Sequence, residues 1–365
     1  MQQRVIGAGT RRALAQTIAK IAPAGPVLVM GGSNSYPARA LADVLDELPH
    51  RPALLLSSGA LPDTQSLRQC WEQISDLPGC IVAVGGGRIM DLAKLLSTGL
   101  RNVDDLLDRV KDGAPPPRKL PLIALPTTAG SGSESTPFAV LYDHARKYSL
   151  DHPSQLPDAA IVDCDLMRSA PQRVRAASGL DALCQGIEAL LSRKATAQSN
   201  ALALRAIKQA KGALLASLAD DRKAAAEMAQ AANLAGRAIA TTRTTVPHAL
   251  SYSLTQEYGV AHGHAVALSM GAYLRHFGNA LRRDTHLKPW TASYGGVLEM
   301  LDCSAPDEIP ATWATFLAQT GLEPDLTSLH LPSSARLVAA QAVNPDRLRN
   351  SPLSLDTATL ADLFA

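Results

Sequence analysis

The sequence predicts a two-domain α/β protein, in which a parallel sheet with helices on both faces is followed by an all-helical region. In the first half of the 365 residues, short apolar runs alternate with helical patterns, which is typical of parallel strands joined by helices. From about Pro171 the sequence becomes alanine-rich and helical. We therefore place the boundary near Leu166–Pro171 and predict an α/β domain over 1–168 and a helical domain over 169–365.

The apolar runs of the first half predict four strands, each bounded by glycine, proline or polar residues. They cover Pro26–Gly32, Ala53–Ser58, Cys80–Gly87 and Pro121–Thr128. Helical patterns follow the first three of them, over Ala40–Leu48, Leu67–Ser75 and Arg88–Leu100. Residues 113–120 contain three consecutive prolines, which cannot lie inside a helix, so we predict a loop there. The second half is predicted to be helical over Pro171–Leu218, over Ala225–Ala240 and from His248 to the end.

The overall composition excludes several classes of protein. Hydrophobic residues make up 46% of the chain, the formal net charge is only +2, and Lys and Arg are scattered, so we expect no nucleic-acid partner. The longest apolar runs, such as the one at Ile81–Val84, are too short to cross a bilayer, and the N-terminus lacks the apolar segment of a secretory signal, so no membrane association is expected. Five dispersed cysteines without CxxC spacing favour a reducing, cytoplasmic environment.

Two glycine-rich polar loops follow consecutive predicted strands. The first, GGGRIMDLAK, places Gly85, Gly86 and Gly87 before a helix, where backbone amides and the helix N-terminus can hold a pyrophosphate. It is not a GxGxxG motif, and by itself a plain strand-to-helix turn explains it equally well. The second loop, PTTAGSGSES, supplies several hydroxyl groups after the next strand. Because ligands bind at the carboxyl ends of parallel strands, the two loops together favour a nucleotide site.

Together, GGGRIMDLAK and PTTAGSGSE resemble the paired motifs of the group III, or iron-containing, alcohol dehydrogenases. The resemblance covers nearly the whole chain and implies a dehydroquinate synthase-like architecture. In this family a Rossmann-like nucleotide-binding domain precedes an all-helical domain, with the active site in the cleft between them. The resemblance implies an NAD(P)-dependent alcohol dehydrogenase or aldehyde reductase acting on a small molecule. The residues that it places at the cofactor are Gly86, Gly87, Asp91, Thr127 and Thr128.

The turn after the strand Pro26–Gly32 bears on which nicotinamide cofactor is used. NAD-preferring relatives tend to carry an acidic residue there, positioned for the ribose 2′-hydroxyl. This chain has Gly31, Gly32 and Ser33 instead, with no carboxylate that would repel a 2′-phosphate. We therefore expect NADP as the cofactor, with NAD as the alternative if the two glycines only form a tight turn.

The resemblance also implies a divalent metal, iron or zinc, held by one Asp and three His. Asp181 matches the Asp, but Gln185, four residues later on the same helix face, stands where the family has a His. His248 and His262 match the other two ligands in residue type and spacing, and His264 lies outside this set. An amide oxygen is a poorer ligand than an imidazole nitrogen. Either these residues form a weakened metal site, or the enzyme works without a metal, or the protein is an inactive relative.

Tyr252 and Arg243 join His248 and His262 as the candidate catalytic residues. Many family members have a further His near the nicotinamide, four residues after the first His of the pair, and here that position is Tyr252. Its phenol can donate a proton to a developing alkoxide, or it can serve only in packing. Arg243 stands among four threonines, and its guanidinium suits a phosphonate or a carboxylate. The alternative is a surface Arg at the end of a helix.

Two segments, TTRTTVPHALSYSLT and NPDRLRNSP, resemble the phosphonoacetaldehyde reductase branch of the family. This implies NAD(P)H-dependent reduction of a small anionic aldehyde, such as phosphonoacetaldehyde, to its alcohol, 2-hydroxyethylphosphonate. The alternatives are a metal-independent, maleylacetate reductase-like carbonyl reductase, a dehydroquinate synthase-like lyase and a non-catalytic nucleotide-binding protein. The motif PTTAGSGSE argues against the lyase. Family habit alone implies a homodimer.

Overall fold

A computed structural model describes residues 2–23, 25–33, 41–48, 51–144 and 146–364. The chain divides into two compact units, Met1–Ala170 and Pro171–Ala365. The first unit contains all the strands of the described residues, and the second is built from helices. Within the described residues, no helix combines the length and the hydropathy needed to span a membrane.

The first unit is built on a six-stranded sheet in which every pairing is parallel. Its strands are β1 (Gln3–Gly7), β2 (Val27–Gly32), β3 (Ala53–Ser57), β4 (Cys80–Gly85), β5 (Leu122–Pro126) and β8 (Ala159–Asp163). They lie in the order β1-β8-β5-β4-β2-β3. The predicted parallel sheet is therefore confirmed, and all four predicted strands lie in it.

Helices cover both faces of this sheet. They are α1 (Leu14–Ile21), α2 (Ala42–Leu45), α3 (Thr64–Glu72), α4 (Gly87–Leu96), α5 (Val103–Lys111) and α6 (Cys164–Arg168). Strand β4 shows why both faces must be covered, because all six of its residues are buried. Ile81 and Ala83 enter one hydrophobic cluster, and Val82 and Val84 enter the other. The continuous apolar run of β4 is thus the pattern of a central strand in a doubly covered sheet.

Two of the predicted helices have different bounds in the structure. The helix predicted over Ala40–Leu48 is limited to Ala42–Leu45, and Ala40 lies outside the described residues. The helix predicted over Leu67–Ser75 begins earlier, because Asp63 caps it by accepting a hydrogen bond of 2.6 Å from the Ser66 amide.

Four strands were not predicted from the sequence. Strands β1 and β8 pair with each other at one edge of the sheet, with Gln3 opposite Ala159. Strands β6 (Phe138–Asp143) and β7 (Arg146–Asp151) form a separate antiparallel hairpin. The first unit therefore contains two more parallel strands than we predicted, together with a small second sheet.

The second unit contains ten α-helices in its described residues. They are α7 (Gln172–Leu190), α8 (Ala197–Leu218), α9 (Arg222–Thr242), α10 (Val246–Tyr258), α11 (His262–Leu281), α12 (Thr291–Met300), α13 (Ile309–Gln319), α14 (Ala335–Gln341), α15 (Pro345–Leu348) and α16 (Thr357–Asp362). The stretch predicted as helical over Pro171–Leu218 is two helices. The second of them begins after Thr196, whose side chain and that of Ser199 form a capping box.

Candidate functional site

The two glycine-rich loops lie side by side at the carboxyl edge of the sheet. Strands β4 and β5 are neighbours, and Gly85 pairs with Pro126 where both strands end. A β-carbon on Gly86 would lie 3.3 Å from the Thr128 hydroxyl, and one on Gly87 would lie 2.9 Å from the Ser131 hydroxyl. A side chain at residue 87 would therefore force the second loop to move, and one at residue 86 would need a shift of a few tenths of an ångström.

Helix α4 begins directly after this close approach. Its N-cap is Gly86, which has no side chain that could accept from the first amides of the helix. The first turn thus presents backbone N–H groups and the positive end of the helix dipole, an arrangement that suits a phosphate group. Thr127, which is buried, donates its amide to the Gly85 carbonyl at 2.9 Å and so holds the two loops together.

Asp91 and Lys94, both in α4, belong to a polar network in which Lys94 is fully buried and Asp91 is partly buried. The Asp91 carboxylate accepts from the Ser133 hydroxyl at 2.9 Å and from the Val140 amide at 3.2 Å. Lys94, which is 0% exposed, donates to Ser133 Oγ, Thr136 Oγ1 and the Phe138 carbonyl at 2.8–3.0 Å. Burial lowers the pKa of Lys94 to about 8, although Asp91 and Glu134 raise it. The network ties the second loop and strand β6 to helix α4.

The turn after β2 contains the residues expected to distinguish NADP from NAD. Gly31 is buried inside the strand, Gly32 ends the strand, and Ser33 is exposed. The Ser33 amide donates to the Ser57 carbonyl at 3.3 Å, at the end of neighbouring strand β3. The turn is therefore fixed to the carboxyl end of β3.

Arg88 donates to that same Ser57 carbonyl at 3.3 Å and also to the Ser57 hydroxyl at 2.8 Å. It donates further to the carbonyls of Ser58 and Leu61. No carboxylate forms an ion pair with this guanidinium in the part of the chain that the structure describes. Burial lowers the pKa of Arg88, so a positive charge without a carboxylate partner is half-buried beside the turn after β2.

In the second unit, the structure brings together three of the four residues expected to bind a metal. The ligand atoms of Asp181, His248 and His262 all lie within 4.8 Å of one another. Asp181 comes from α7, His248 from α10 and His262 from the first residue of α11. His248 Nε2 lies 3.1 Å from Asp181 Oδ1. The fourth residue, Gln185, is buried one turn after Asp181 on α7, and its amide hydrogen-bonds to the Asp181 carboxylate.

The close approach of two helices makes this grouping possible. Gly263 follows His262 in α11, and a β-carbon there would lie 2.0 Å from the Ala177 carbonyl oxygen and 2.6 Å from Asp181 Cβ. A side chain at residue 263 would therefore push α11 away from α7, and it would separate His262 from Asp181.

Glu188 is the most important residue of the site that the sequence analysis missed. It lies seven residues after Asp181 on α7, is 0% exposed, and its carboxylate binds His248 Nδ1. Its other oxygen accepts from the amide of Thr245 at 2.8 Å, from the Thr245 hydroxyl at 3.1 Å and from the His248 amide at 3.3 Å. Glu188 thus fixes the imidazole so that Nε2 faces Asp181.

The charges of this cluster are strongly coupled. Burial lowers the pKa of His248, but the carboxylates of Glu188 and Asp181 outweigh it and raise the pKa to about 10. Burial raises the pKa of Asp181, but its contacts with His248 and His262 have the larger effect and hold it below its usual value. In the absence of a metal, His248 therefore carries a proton between two carboxylates.

These residues fit a divalent metal ion. One carboxylate oxygen and two imidazole nitrogens within 4.8 Å form a donor set that suits zinc or ferrous iron. A carboxylate on the far nitrogen of a histidine, as Glu188 is on His248, is the usual outer partner of a metal-binding imidazole. Because the metal replaces the proton on Nε2, binding would release a proton.

Tyr252 lies beside the same cluster. It is one turn after His248 on α10, and its ring is parallel to that of His262, with the centroids 6.1 Å apart and an interplanar angle of 5°. The rings of His248 and His262 meet edge to face, with centroids 5.3 Å apart. The structure therefore groups Tyr252 with both histidines. His264 is directed elsewhere, because its Nε2 contacts the Glu323 carbonyl at 2.7 Å.

Arg243 lies at the end of α9, where the chain turns towards His248. Its guanidinium donates to the Ala240 carbonyl at 3.2 Å, and its backbone has a φ of 60° and a ψ of 179°. The tail segment NPDRLRNSP reaches the same place, since Asn350 donates to the carbonyls of Thr242 and Thr244 at 2.7 and 2.9 Å. The two segments that resemble the phosphonoacetaldehyde reductase branch therefore contact each other through Asn350.

Both halves of the chain match one class of protein, the alcohol dehydrogenases and aldehyde reductases of a single family. Residues 2–164 match the family model described as iron-containing alcohol dehydrogenase, and residues 175–365 match the C-terminal model of the same family. The chain belongs to the iron-containing alcohol dehydrogenase family. Members of this family bind NAD(H) and a divalent metal.

Individual members of the family and solved structures resemble the chain along most of its length. The chain is 36% identical to phosphonoacetaldehyde reductase from Streptomyces viridochromogenes over 78% of its own length and 74% of the relative. It is 32% identical to long-chain-alcohol dehydrogenase 1 from Geobacillus thermodenitrificans over 78% and 73% of the two chains. Among solved structures, it resembles sulfoacetaldehyde reductase from Bifidobacterium kashiwanohense in complex with NAD+, with a TM-score of 0.86, 24% identity, and coverage of 100% and 96%. At that identity, the likeness establishes the shared fold.

Proposed function

We propose that the protein reduces phosphonoacetaldehyde, or a small aldehyde with a similar anionic tail, to the corresponding alcohol with hydride from NADPH. The observation that carries this proposal is the 36% identity with a phosphonoacetaldehyde reductase over about three quarters of both chains. In the reaction, hydride passes from the nicotinamide to the carbonyl carbon, and a proton is added to the carbonyl oxygen. The products are 2-hydroxyethylphosphonate and NADP+.

The charges near the turn after β2 support NADP as the cofactor. Residues 31–40 contain no acidic side chain. The Arg88 guanidinium, which forms no ion pair with a carboxylate in the described residues, donates to the Ser57 carbonyl. The Ser33 amide donates to the same carbonyl, so the guanidinium lies close to Ser33. A ribose 2′-phosphate near Ser33 would meet the positive charge of Arg88. Gly86, Gly87, Thr127 and Thr128 would face the pyrophosphate.

The cluster of the second unit supplies the residues for the carbonyl end of the substrate. Asp181, His248 and His262 would hold the metal, with Gln185 as a weak fourth ligand, and the bound metal would polarise the carbonyl oxygen as a Lewis acid. Glu188 keeps His248 in the required orientation. Tyr252 Oη would donate the proton to the developing alkoxide.

Arg243 would bind the anionic tail of the substrate. It lies five residues before His248, and threonines flank it on both sides. A guanidinium forms paired, charge-assisted hydrogen bonds with phosphonate or carboxylate oxygens. In this role, Arg243 would hold the tail and leave the carbonyl to the histidine cluster.

One observation favours the metal-independent, maleylacetate reductase-like reaction as a second candidate. The Gln185 amide hydrogen-bonds to Asp181, where the family's fourth ligand would otherwise bind the metal. In that case the proton that His248 holds between Asp181 and Glu188 would stabilise the alkoxide instead. Metal analysis of the purified enzyme, combined with activity before and after treatment with a chelator, distinguishes the two candidates.

The proposal is tested by following NADPH oxidation with phosphonoacetaldehyde, maleylacetate and propanal, a small neutral aldehyde. We expect the highest kcat/KM with phosphonoacetaldehyde. Arg243→Ala should lower it by about 30- to 150-fold, corresponding to about 2–3 kcal/mol, and should hardly change the value for propanal. Arg205→Ala is the matched control, because Arg205 is exposed on α8. If propanal is reduced as efficiently as phosphonoacetaldehyde by the unmodified enzyme, the proposed substrate class is wrong.

A further inference from the structure

The backbone of Arg243 has a conformation that is normally reserved for glycine. Its φ of 60° and ψ of 179° lie in a region that non-glycine residues almost never occupy, since the β-carbon is crowded there. Four other described residues with a side chain have a positive φ, and all of them are His or Asp, which enter the left-handed region more easily. Arg243 is thus strained, and glycine would fit better.

Hydrogen bonds fix the backbone on both sides of this strained residue. The Thr242 carbonyl accepts from Asn350 Nδ2 at 2.7 Å and from the Ser192 hydroxyl at 2.9 Å. The Thr244 carbonyl accepts from the same Asn350 amide at 2.9 Å. The Thr245 amide donates to Glu188 at 2.8 Å. A strained conformation persists when its surroundings over-determine it in this way, and such residues cluster at ligand clamps.

Asn350 is the residue that spans the strained turn, because its single amide nitrogen binds the carbonyl before Arg243 and the carbonyl after it. It is itself held in place. Its Oδ1 lies 3.0 Å from the Ser192 hydroxyl, and its carbonyl accepts from the Arg193 amide at 2.9 Å. Only 9% of Asn350 is exposed.

We propose that Asn350 is a positioning residue that holds Arg243 in this glycine-like conformation and thereby fixes the direction in which its guanidinium meets the anionic group of the substrate. The oxyanion it serves is a phosphonate or a carboxylate. This inference rests on the proposed function. It explains why an arginine occupies a position where glycine would fold with less strain: the side chain is needed there.

The strain is tested by comparing the thermal unfolding of Arg243→Gly and Arg243→Ala. Both variants lack the guanidinium and its bond to Ala240, but only glycine removes the crowded β-carbon. We expect Arg243→Gly to unfold about 2–6 °C above Arg243→Ala. If the two variants unfold at the same temperature, or alanine is the more stable, Arg243 is not strained and the inference is wrong.

The positioning role is tested with Asn350→Asp, which keeps the size of the side chain and the acceptor for Ser192 but removes the donor to both carbonyls. We expect KM for phosphonoacetaldehyde to rise about tenfold with kcat nearly unchanged, and we expect kcat/KM for propanal to stay the same. In an Arg243→Gly background, the same change should add no further loss for the anionic substrate. The matched control is Asn102→Asp, where the native side chain acts only as an acceptor at the start of α5 and aspartate serves equally well.

The outcomes separate this inference from the proposed function. Equal losses with phosphonoacetaldehyde and propanal in Asn350→Asp, or additive losses in the double variant, would mean that Asn350 acts only on the stability of the fold. An unmodified enzyme that does not prefer the anionic aldehyde would instead overturn the proposed function.

Discussion

Lys94 in the first unit and His248 in the second are both buried basic side chains, and their pKa values are shifted in opposite directions. Lys94 donates to two hydroxyls and a carbonyl, and its pKa falls to about 8. His248 is bound between two carboxylates, and its pKa rises to about 10. Neutral acceptors can take all the hydrogen bonds of a buried cation, but they do not compensate for the loss of water around its charge, so the pKa falls. Carboxylates in direct contact supply an opposite charge that does compensate, so the pKa rises.

The opposite pKa shifts of Lys94 and His248 indicate different roles for the two networks. Lys94 itself donates only to hydroxyls and a carbonyl, and the Asp91 carboxylate joins the network through the Ser133 hydroxyl, so the network connects α4, the hydroxyl-rich loop and β6 and is suited to holding the cofactor loops in place. The His248 network contains negative charge that a proton or a metal ion can compensate. Stability is therefore expected to depend more strongly on the partners of His248 than on Lys94.

The largest expected effect comes from removing a carboxylate of the second network. Glu188→Ala should lower the free energy of unfolding by about 3–5 kcal/mol, because it breaks a buried ion pair and leaves the Thr245 and His248 amides without their acceptor. Glu188→Gln, which keeps an acceptor but removes the charge, should cost less. Urea unfolding of chelator-treated protein measures both. Equal losses for the two variants would show that the charge of Glu188 contributes little.

A smaller effect is expected when the buried cation of the first unit is removed. Lys94→Met should cost about 1–3 kcal/mol, because the Phe138 carbonyl loses its donor while the hydroxyls of Ser133 and Thr136 retain other partners. The same urea titration measures it. A loss as large as that of Glu188→Ala would contradict the distinction between neutral and charged partners.

The metal affinity of the second unit should respond to residue 185. Gln185→His places an imidazole nitrogen one turn after Asp181 on α7, and it should tighten zinc binding about tenfold, corresponding to about 1.4 kcal/mol. Competition with a chromophoric chelator measures the affinity. An unchanged affinity would mean that residue 185 does not face the metal, and Gln185→Ala serves as the control for loss of the amide.

The smallest net effect is expected in the pH dependence of stability, because the two networks oppose each other. The pKa of folded His248, about 10, exceeds its ordinary value of 6.5, so its contribution is complete below pH 6.5 and is lost as the pH rises to about 10. The pKa of folded Lys94, about 8, lies below its ordinary value of 10.5, so stability from this group rises between these two pH values.

Variants separate the two contributions in metal-free protein. Lys94→Met should make stability fall more steeply between pH 8 and 10 than in the unmodified protein. Glu188→Gln should flatten the fall above pH 6.5, since one of the carboxylates that raise the His248 pKa is then neutral. Urea midpoints measured across this range test both slopes. Parallel pH profiles for all three proteins would contradict the assignment of these groups.

Much of the fold follows from local patterns in the sequence. The four predicted strands have continuous apolar runs, because helices cover both faces of the sheet. Strand β8, AAIVD, has the same buried apolar run and could have been predicted from it, whereas the other missed strands have weaker signals. Strand β1, QRVIG, alternates between half-buried and exposed residues and becomes a strand by pairing with β8, more than 150 residues away. The hairpin of β6 and β7 has no Asn-Gly or Asp-Gly turn between its strands.

The candidate site was predictable to a similar extent. Asp181, His248 and His262 were found by resemblance, and the structure places them together. Glu188 could have been found as well, since a residue seven positions after Asp181 lies on the same face of a helix. The contact between Asn350 and the turn at Arg243 could not have been found from the sequence. It joins segments more than 100 residues apart, and neither segment contains a local signal for the other.

Gly263 has a consequence for efforts to redesign this site. Because the spacing between α7 and α11 depends on the missing side chain at residue 263, the distance between Asp181 and His262 is set by the backbone and not by the ligands themselves. Libraries that vary the ligand residues can therefore explore different donor atoms while the backbones of the two helices keep the same spacing. A library that varies residue 263 would instead change which ionic radii the cluster accepts, and most of its members would lose the helix contact altogether.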